Sequence, residues 1–368
     1  MGRRAIGTAI IGAGYWGPNL VRNVQATPDL RLEYVCDLRE ERAREVLGAY
    51  STVRASSSME EVLADPAVEA VAVATPADTH VEVVTAALEA GKHVLVEKPL
   101  APSLAEGRRL VELADERGLV LMLDHTYCYT AAVAHLRNLV RSGVLGDVQY
   151  LDSVRINLGL VQRDVDVLWD LAPHDLSIFL SILPEGVVPV AVSANGSDPV
   201  GAGRLCVGHL TIRLSSGALA HVHVNWLSPT KVRTMIVGGS ARTAVWDDLD
   251  PIRRLSVYDR GVDRVPQARL PEDARAATIV SYRTGDMVAP ALPDTEALRS
   301  VMAEFVTSIV TSRPPLTDGR SGLDVLALLE AASASLEADG RFVPVAISPD
   351  APRSTAARQA GERVGQAS

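Results

Sequence analysis

The sequence is poor in cysteine and lacks long apolar runs, and these shortages exclude two classes of protein. Its three cysteines, Cys36, Cys128 and Cys206, are too few and too far apart for a disulfide framework. No apolar run reaches the length that spans a bilayer, and the apolar stretch after residues 1–4 lacks a small-residue cleavage site. We therefore expect a cytoplasmic protein with no membrane partner.

Basic charge and lysine are also scarce. A formal net charge of −9 and a pI near 5.4 argue against nucleic-acid and anionic-membrane partners. Lysine occurs only at Lys92, Lys98 and Lys231. Apolar residues make up 47% of the chain but aromatic residues only 4%, which indicates a core of Ala, Val, Leu and Ile. The length of 368 residues predicts two domains.

A glycine-rich turn near the start is the most informative motif. An apolar strand leads directly into Gly12-Ala13-Gly14-Tyr15-Trp16-Gly17. In this pattern the first glycine permits a tight turn, the second lets a pyrophosphate approach, and the third allows close helix–strand packing. Asp37 follows at about the distance at which a carboxylate binds a ribose hydroxyl. These features predict a dinucleotide site that prefers NAD to NADP, although Arg39 lies close by. A glycine turn without a ligand is the alternative.

The first third of the chain alternates strands with helices, which predicts a doubly wound parallel sheet. The expected strands and helices span residues 5–11, 31–36, 70–74, 81–90, 93–96, 104–117 and 120–123. The predicted dinucleotide-binding Rossmann domain is 1–126. Ligands of such sheets bind at the carboxyl ends of the strands.

The pattern changes to a predicted α+β substrate domain over 127–348. A helix at 131–142 precedes strands at 148–156, 188–194, 206–214, 218–225 and 234–238, and Ser215-Ser216-Gly217 reads as a hairpin turn. This predicts a large, mostly antiparallel sheet with one open face, through which we expect a dimer or tetramer. Helices at 294–312 and 321–338 close the fold. The tail 349–368 is expected to be disordered.

Lys98 stands at the end of a buried strand, in Glu97-Lys98-Pro99. Pro99 favours an extended backbone at Lys98, which would direct its compact ammonium into the ligand crevice. The alternative is an ordinary solvated lysine that follows a strand.

A second group of polar residues lies in Trp169-Asp170-Leu171-Ala172-Pro173-His174-Asp175. Because proline is tolerated in a first helical turn, we expect a helix to begin near Ala172, with His174 in that turn. The helix dipole would then keep His174 neutral, as a general base for a hydroxyl requires. Asp170 would orient the ring or bind a substrate hydroxyl. Alternatively, Asp170 is a helix cap and His174 a core residue.

Weaker candidates lie in the second half. His221 and His223 share one strand face, but no third ligand stands nearby, so no metal is expected. Arg155, Asn157, Lys231 and Arg233 could bind a phosphate or a uronate, or could instead be surface partners of Asp and Glu.

Together these motifs resemble the Gfo/Idh/MocA family of NAD(P)-dependent oxidoreductases, from Gly12 to about Leu336. Ala74-Thr75-Pro76 with His80, Glu97-Lys98-Pro99 and Asp170-x-x-x-His174 complete the resemblance. It implies that Lys98 and His174 contact the reacting oxygen while Asp170 assists. The expected cofactor-binding residues are Gly12, Gly14, Tyr15, Trp16, Gly17, Asp37, Leu38, Arg39, Thr75, Pro76, His80, Glu97 and Lys98. The expected substrate-binding residues are Lys98, Tyr127, Arg155, Asn157, Asp170, His174 and Lys231.

Within the family, the sequences at 14–19 and 169–175 look most like the sugar-nucleotide 3-dehydrogenase and 3-ketoreductase branch. The run from His125 to Ala131 differs from the Asn-Pro often found there. The resemblance therefore does not determine which residues form the edge of the substrate pocket near Tyr127. The resemblance implies hydride transfer between a nicotinamide and a secondary alcohol of a nucleotide-linked sugar, with C3 the expected carbon. The alternatives are an inositol, free-sugar or sugar-phosphate dehydrogenase, or a non-catalytic NAD-binding protein.

Overall fold

A computed structural model describes residues 4–162, 165–264 and 280–347. The chain forms two compact units, and each unit is made of separate stretches of the sequence. The first contains residues up to Thr130 together with Asp294–Glu330, and the second contains Ala131–Pro293 together with the segment that starts at Ala331. The sequence had assigned 294–330 to the second domain, but these residues complete the core of the first unit. The tail expected to be disordered lies outside the described residues.

The first unit is built on six parallel strands in the order β3-β2-β1-β4-β5-β6. Every residue of β1 is buried, as expected for a parallel sheet covered on both faces. The predicted doubly wound sheet is thereby confirmed. The strands are β1 (Ile6–Ile11), β2 (Leu30–Cys36), β3 (Arg54–Ser56), β4 (Ala70–Val73), β5 (His93–Val96) and β6 (Leu121–Leu123).

Helices connect these strands and cover the sheet. They are α1 (Gly17–Gln25), α2 (Glu40–Leu47), α3 (Met59–Ala64), α4 (His80–Glu89) and α5 (Leu104–Arg117). Ser103 caps α5 by accepting a hydrogen bond from the Glu106 amide, and Gly118 ends the same helix in the left-handed conformation. A later helix, α8 (Ala297–Thr311), contributes Val301 and Phe305 to the core formed around β1.

The second unit contains a nine-stranded sheet in the order β16-β13-β12-β11-β7-β10-β9-β8-β17. Only the pairing of β7 with β10 is parallel, so the predicted antiparallel character is confirmed. Its strands are β7 (Val148–Leu158), β8 (Pro189–Ser197), β9 (Val207–Leu214), β10 (Leu219–Asn225), β11 (Leu227–Gly239), β12 (Thr243–Asp247), β13 (Leu255–Tyr258), β16 (Met287–Val288) and β17 (Val343–Pro344). β14 (Gly261–Arg264) and β15 (Val280–Arg283) form a separate ribbon.

Burial alternates along the central strands, so one face of the large sheet is covered and the other is more open. Helices α6 (Ala131–Arg141) and α7 (Val167–Ile182) belong to this unit, and Leu168 of α7 packs so closely on β9 that a Cβ at Gly208 would lie 2.6 Å from its side chain. The predicted hairpin joins β9 to β10, where Gly217 has a φ of +88°. β11 is longer than expected because it begins before an irregularity between Leu227 and Val232.

The last helix, α9 (Gly319–Glu337), precedes β17. Within the described residues, no helix is both long enough and apolar enough to cross a bilayer.

Candidate active site

The glycine-rich turn has the geometry that its sequence predicts. Gly12 has a φ of +100°, and a Cβ at this position would lie 2.5 Å from the Ala74 carbonyl oxygen. A Cβ at Gly17 would lie 2.4 Å from the Gly12 carbonyl oxygen, so only glycine lets α1 start this close to β1. A Cβ at Gly14 would meet open space within the described chain. The turn therefore leaves room for a pyrophosphate at the N-terminus of α1.

Asp37 follows β2 and lies against this turn. One carboxylate oxygen accepts a hydrogen bond from the Ala13 amide at 2.9 Å, and the other accepts one from the Arg39 amide at 3.0 Å. Tyr15 and Leu38 are almost fully exposed. These three residues stand where the adenosine end of a dinucleotide is expected, and Asp37 is already held in place by backbone donors.

His80 joins the loops that follow β4 and β5. Its Nδ1 lies 2.7 Å from the Pro99 carbonyl oxygen and its Nε2 lies 3.1 Å from the Thr75 carbonyl oxygen. Burial lowers the pKa of this imidazole, although both carbonyls favour its protonated form. The predicted cofactor residues Thr75 and His80 are thus brought together with the segment that carries Lys98. Pro76 precedes a short 3-10 turn at Ala77–Thr79.

Three predicted residues lie at the ends of β5 and β6. Glu97 and Lys98 follow β5 and are half-buried, and Tyr127 is half-buried in a 3-10 turn at Thr126–Tyr129. Sequence reasoning missed Asp124 and His125, which follow β6 directly and are both buried. The signal was available for Asp124, since it takes the first position after a parallel strand, as Asp37 and Glu97 do after theirs, and His125 is the next residue.

This set of residues fits a dinucleotide. The turn offers backbone donors beside open space, the carboxylate follows β2 at the expected place, and the buried hydroxyl oxygen of Thr75 has no hydrogen-bond partner among the described residues. NAD would be held by the turn, by Asp37 and by the loops after β4 and β5.

Helix α7 carries the second group of predicted residues. It begins at Val167 rather than near Ala172, because Asp166 caps it by accepting hydrogen bonds from the Leu168 and Trp169 amides at 2.9 and 3.0 Å. Pro173 therefore lies inside the helix and His174 lies beyond the first turn. The helix-dipole argument for a neutral His174 is wrong, since the dipole acts mainly within the first turn.

Asp170 and His174 are four residues apart in a continuous helix, so they share one face, as predicted. Asp170 is not the helix cap. Its Oδ2 accepts a hydrogen bond from Trp226 Nε1 at 3.1 Å, which orients the carboxylate from the loop after β10. The His174 side chain is half-buried. Three residues later in α7, the Ser177 hydroxyl donates a hydrogen bond to the His174 carbonyl oxygen at 2.8 Å.

Arg155 lies in the interior rather than at the surface. It is 3% exposed and pairs with Asp175, which is 1% exposed, through contacts of 2.7 and 3.1 Å. Ser153 donates to the same carboxylate at 2.8 Å. The interpretation of Arg155 as a substrate ligand is therefore corrected: its guanidinium joins β7 to α7. Sequence reasoning missed Asp175, because a contact between distant segments leaves no local pattern.

The remaining candidates of the second unit do not form one group. Asn157 is half-buried, while Lys231 is exposed. His221 pairs with Asp152 at 2.9 Å, and His223 stacks on His209 with ring centroids 4.2 Å apart.

Two family models match the chain. "Oxidoreductase family, NAD-binding Rossmann fold" covers residues 6–125, and "GFO/IDH/MocA C-terminal domain" covers residues 133–245. Together they span more than half of the sequence. The chain belongs to the Gfo/Idh/MocA family. It is an NAD-binding oxidoreductase, and the glycine-rich turn described above lies within the residues that match the NAD-binding model.

One Gfo/Idh/MocA relative matches nearly the whole chain. The UDP-N-acetylglucosamine 3-dehydrogenase of Acidithiobacillus ferrooxidans is 31% identical over 321 residues, which are 87% of this chain and 94% of the relative. Its solved structure superposes with a TM-score of 0.75, at 30% identity, over 91% of this chain and 99% of that one. Both comparisons support a shared two-part architecture.

Two further proteins match the chain at lower sequence identity. The myo-inositol 2-dehydrogenase of Thermotoga maritima is 29% identical over 220 residues, which are 57% of this chain and 65% of the relative. GenD2 from gentamicin A biosynthesis, solved in complex with NAD, matches with a TM-score of 0.75 over 94% of this chain and 97% of that one. At 24% identity the second match shows the fold alone.

Proposed function

We propose that the protein transfers a hydride between NAD and a secondary alcohol, most suitably C3, of a nucleotide-linked sugar. The observation that carries this proposal is the similarity to a UDP-N-acetylglucosamine 3-dehydrogenase: the two sequences are 31% identical, and the alignment covers 94% of that enzyme. The polar residues that the family chemistry needs, Lys98, Asp170 and His174, are present in this sequence. The same chemistry would serve polysaccharide or antibiotic sugar biosynthesis.

The residues divide the work as follows. Bound NAD would supply the hydride acceptor. Lys98, at the end of β5, would donate a hydrogen bond to the substrate oxygen and stabilise negative charge on it. His174 would accept the hydroxyl proton during oxidation and return it during reduction. Asp170, fixed by the Trp226 indole, would keep the same helix face polar and orient the imidazole or a substrate hydroxyl.

A second candidate is an inositol dehydrogenase, which would use the same residues on a substrate without a nucleotide. The 29% identity with the Thermotoga maritima enzyme favours it, although that match covers only 57% of this chain.

Turnover with NAD⁺ tests the proposal directly. UDP-N-acetylglucosamine, a dTDP-hexose and myo-inositol would be offered separately, and NADH formation followed by absorbance. We expect a kcat/KM at least about tenfold higher for a nucleotide-linked sugar than for myo-inositol, because the nucleotide adds binding energy. The reverse order would favour the inositol reading, and no turnover with any sugar or inositol would contradict both.

His174→Ala tests the proposed acid–base group. We expect turnover to fall by about 10² or more while the Kd for NADH stays unchanged, because the dinucleotide contacts come from the first unit. His135→Ala in α6 removes a histidine outside both groups of site residues and serves as the matched control. A His174→Ala variant with more than about a tenth of the wild-type rate would exclude this role.

We also propose that the open face of the nine-stranded sheet joins copies of the chain into a dimer or tetramer. Tyr150 and Leu219 are both 39% exposed on neighbouring strands of this sheet. Light scattering coupled to size-exclusion chromatography would show a monomer if this is wrong. The buried thiols of Cys36, Cys128 and Cys206, none of which forms a disulfide among the described residues, support a reducing compartment such as the cytoplasm.

A further inference from the structure

Arg42, in the first turn of α2, reaches back to the glycine-rich turn that follows β1. Its Nε donates a hydrogen bond to the Ala13 carbonyl oxygen at 2.9 Å, and the two residues are 29 positions apart in the sequence. The Arg42 side chain is 37% exposed, so it lies at the rim of the first unit rather than in its core. A second element of this unit thus contacts the turn through a charged side chain.

Ala13 is held by both of its backbone polar groups. Its amide donates to Asp37 Oδ2 at 2.9 Å, and its carbonyl accepts from Arg42. Ala13 itself is completely buried, so water cannot easily replace either contact. Hydrogen bonds to ionised groups are stronger than those between neutral groups. Two side chains of opposite charge therefore fix the orientation of this one residue.

The Arg42 contact also sets the direction of the next amide. The peptide between Ala13 and Gly14 is trans, and in a planar trans peptide the carbonyl and the following N–H point in opposite directions. Because the Ala13 carbonyl points towards Arg42, the Gly14 N–H points away from it. Among the described residues this N–H has no hydrogen-bond acceptor, and a Cβ at Gly14 would meet open space. The Gly14 amide is thus a donor directed at the side from which a pyrophosphate can approach.

Glu45 holds the guanidinium from its other end. Nη1 of Arg42 donates to Glu45 Oε2 at 3.0 Å, one turn later in α2. The carboxylate offsets the positive charge of Arg42, while Nε remains on the Ala13 carbonyl. This arrangement favours an action of Arg42 through its hydrogen bond to the turn over a general attraction of anions.

We propose that Arg42 is a positioning residue of the NAD site: by binding the Ala13 carbonyl, it directs the Gly14 amide towards the pyrophosphate of the dinucleotide. Arg42 acts on the ligand through the turn. Its loss therefore weakens ligands that carry a pyrophosphate and leaves the hydride-transfer step unchanged. The inference concerns cofactor binding alone and does not depend on which sugar, if any, the protein oxidises.

Arg42→Met removes the donor and keeps an unbranched side chain. The Kd for NADH is measured by its fluorescence, and ADP and adenosine are then used to displace it. We expect the Kd values for NADH and ADP to rise about tenfold, the scale of one lost hydrogen bond to a charged group, and the Kd for adenosine to stay within about twofold of wild type. Arg42→Lys restores a donor, so we expect it to bind NADH more tightly than Arg42→Met does.

Arg44→Met is the matched control. Arg44 lies in the same helix, its side chain is 71% exposed, and it pairs with Glu40 one turn earlier in α2. This variant also removes a charge and a local ion pair from α2 but does not alter the contact with Ala13. We expect its Kd for NADH to stay within about twofold of wild type. Circular dichroism would show whether each variant is folded, and Arg42→Gln gives the same comparison if Arg42→Met is not.

The kinetic signature is specific to a positioning role. Where a sugar is turned over, the KM for NAD⁺ should rise about tenfold in Arg42→Met while kcat at saturating NAD⁺ stays within about twofold. If no sugar is turned over, the proposed function fails, but the Kd values still test the role of Arg42.

Three results would overturn the proposal. The first is a Kd for NADH in Arg42→Met within about twofold of wild type. The second is a loss of adenosine affinity as large as the loss of ADP affinity, because the whole site would then be disturbed. The third is an Arg42→Lys variant that binds NADH no better than Arg42→Met.

Discussion

The buried ion pair between Arg155 and Asp175 yields a quantitative prediction. In Arg155→Met, the Asp175 carboxylate keeps the hydroxyl of Ser153 at 2.8 Å but loses a cation that contacts it at 2.7 and 3.1 Å. Both partners are almost completely buried, so solvent cannot replace the lost contacts. We expect Arg155→Met to destabilise the second unit by about 3–5 kcal/mol, the usual effect of leaving one buried charge alone.

The double variant Arg155→Met/Asp175→Leu removes both charges and fills the space with apolar side chains. Replacing a buried pair in this way is often neutral, so we expect a total loss of no more than about 1 kcal/mol. The two single variants and the double variant then form a cycle with a coupling energy of at least about 2 kcal/mol. Recovery of stability in the double variant would show that the intact pair adds little net stability compared with apolar side chains.

Urea unfolding followed by tryptophan fluorescence measures these losses, because Trp226 and Trp246 are buried in the same unit. Arg253→Met is the matched control in the same unit: Arg253 pairs with Asp250 at 3.4 Å and is 60% exposed, so the expected loss is at most about 1 kcal/mol. The reasoning is refuted if Arg155→Met costs no more than this control, or if the losses of the single variants simply add.

Three further predictions concern the first unit. Asp37 would repel the extra phosphate of NADPH, so calorimetry should show that NADH binds at least tenfold more tightly than NADPH, a difference of about 1.4 kcal/mol. Equal affinities would show instead that Arg39 determines the cofactor preference. Lys98→Met should keep NADH binding and lower turnover by about 10² or more, and near-normal turnover would return Lys98 to a surface role. Hydrogen bonding to Arg22 lowers the pKa of Glu296 from 4.5 to about 2, so its contribution is complete above pH 4.5 and lost on acidification towards pH 2. The free energy of unfolding, measured in urea, should therefore fall more over this range for wild type than for Glu296→Gln, by at most about 1 kcal/mol after solvent screening, and parallel declines would contradict this.

Features that depend on a few neighbouring residues could be predicted from the sequence. The glycine turn, the strand ends at Asp37 and Lys98, and the capped helix α5 all follow from a few neighbouring residues. The start of α7 was misplaced because Pro173 was read as a first-turn residue, whereas Asp166 supplies the stronger cap. A proline inside a helix loses one backbone hydrogen bond, and tertiary burial of this helix outweighs that cost.

Contacts between distant segments could not be predicted from spacing. The pair of Arg155 with Asp175 joins a strand to a helix, and the hydrogen bond from Trp16 to Asp124 joins residues that are 108 positions apart. The strand-end rule could have identified Asp124, but its contact with Trp16 of the glycine-rich turn depends on the fold. The return of α8 to the first unit was missed because reading along the chain favours contiguous domains.

That return has a consequence for synthesis on the ribosome. The apolar side chains of β1 and β2 are covered partly by Val301 and Phe305 of α8, yet Ala131–Pro293 must be translated in between. At a translation rate of about 5–20 residues per second, roughly ten to thirty seconds pass before α8 is made and can cover these side chains. We expect nascent chains stalled before Asp294 to be cleaved readily by protease within residues 4–130, and equal resistance before and after α8 emerges would contradict this. The order of translation thus makes the nucleotide-binding half, the first to be made, among the last to be finished.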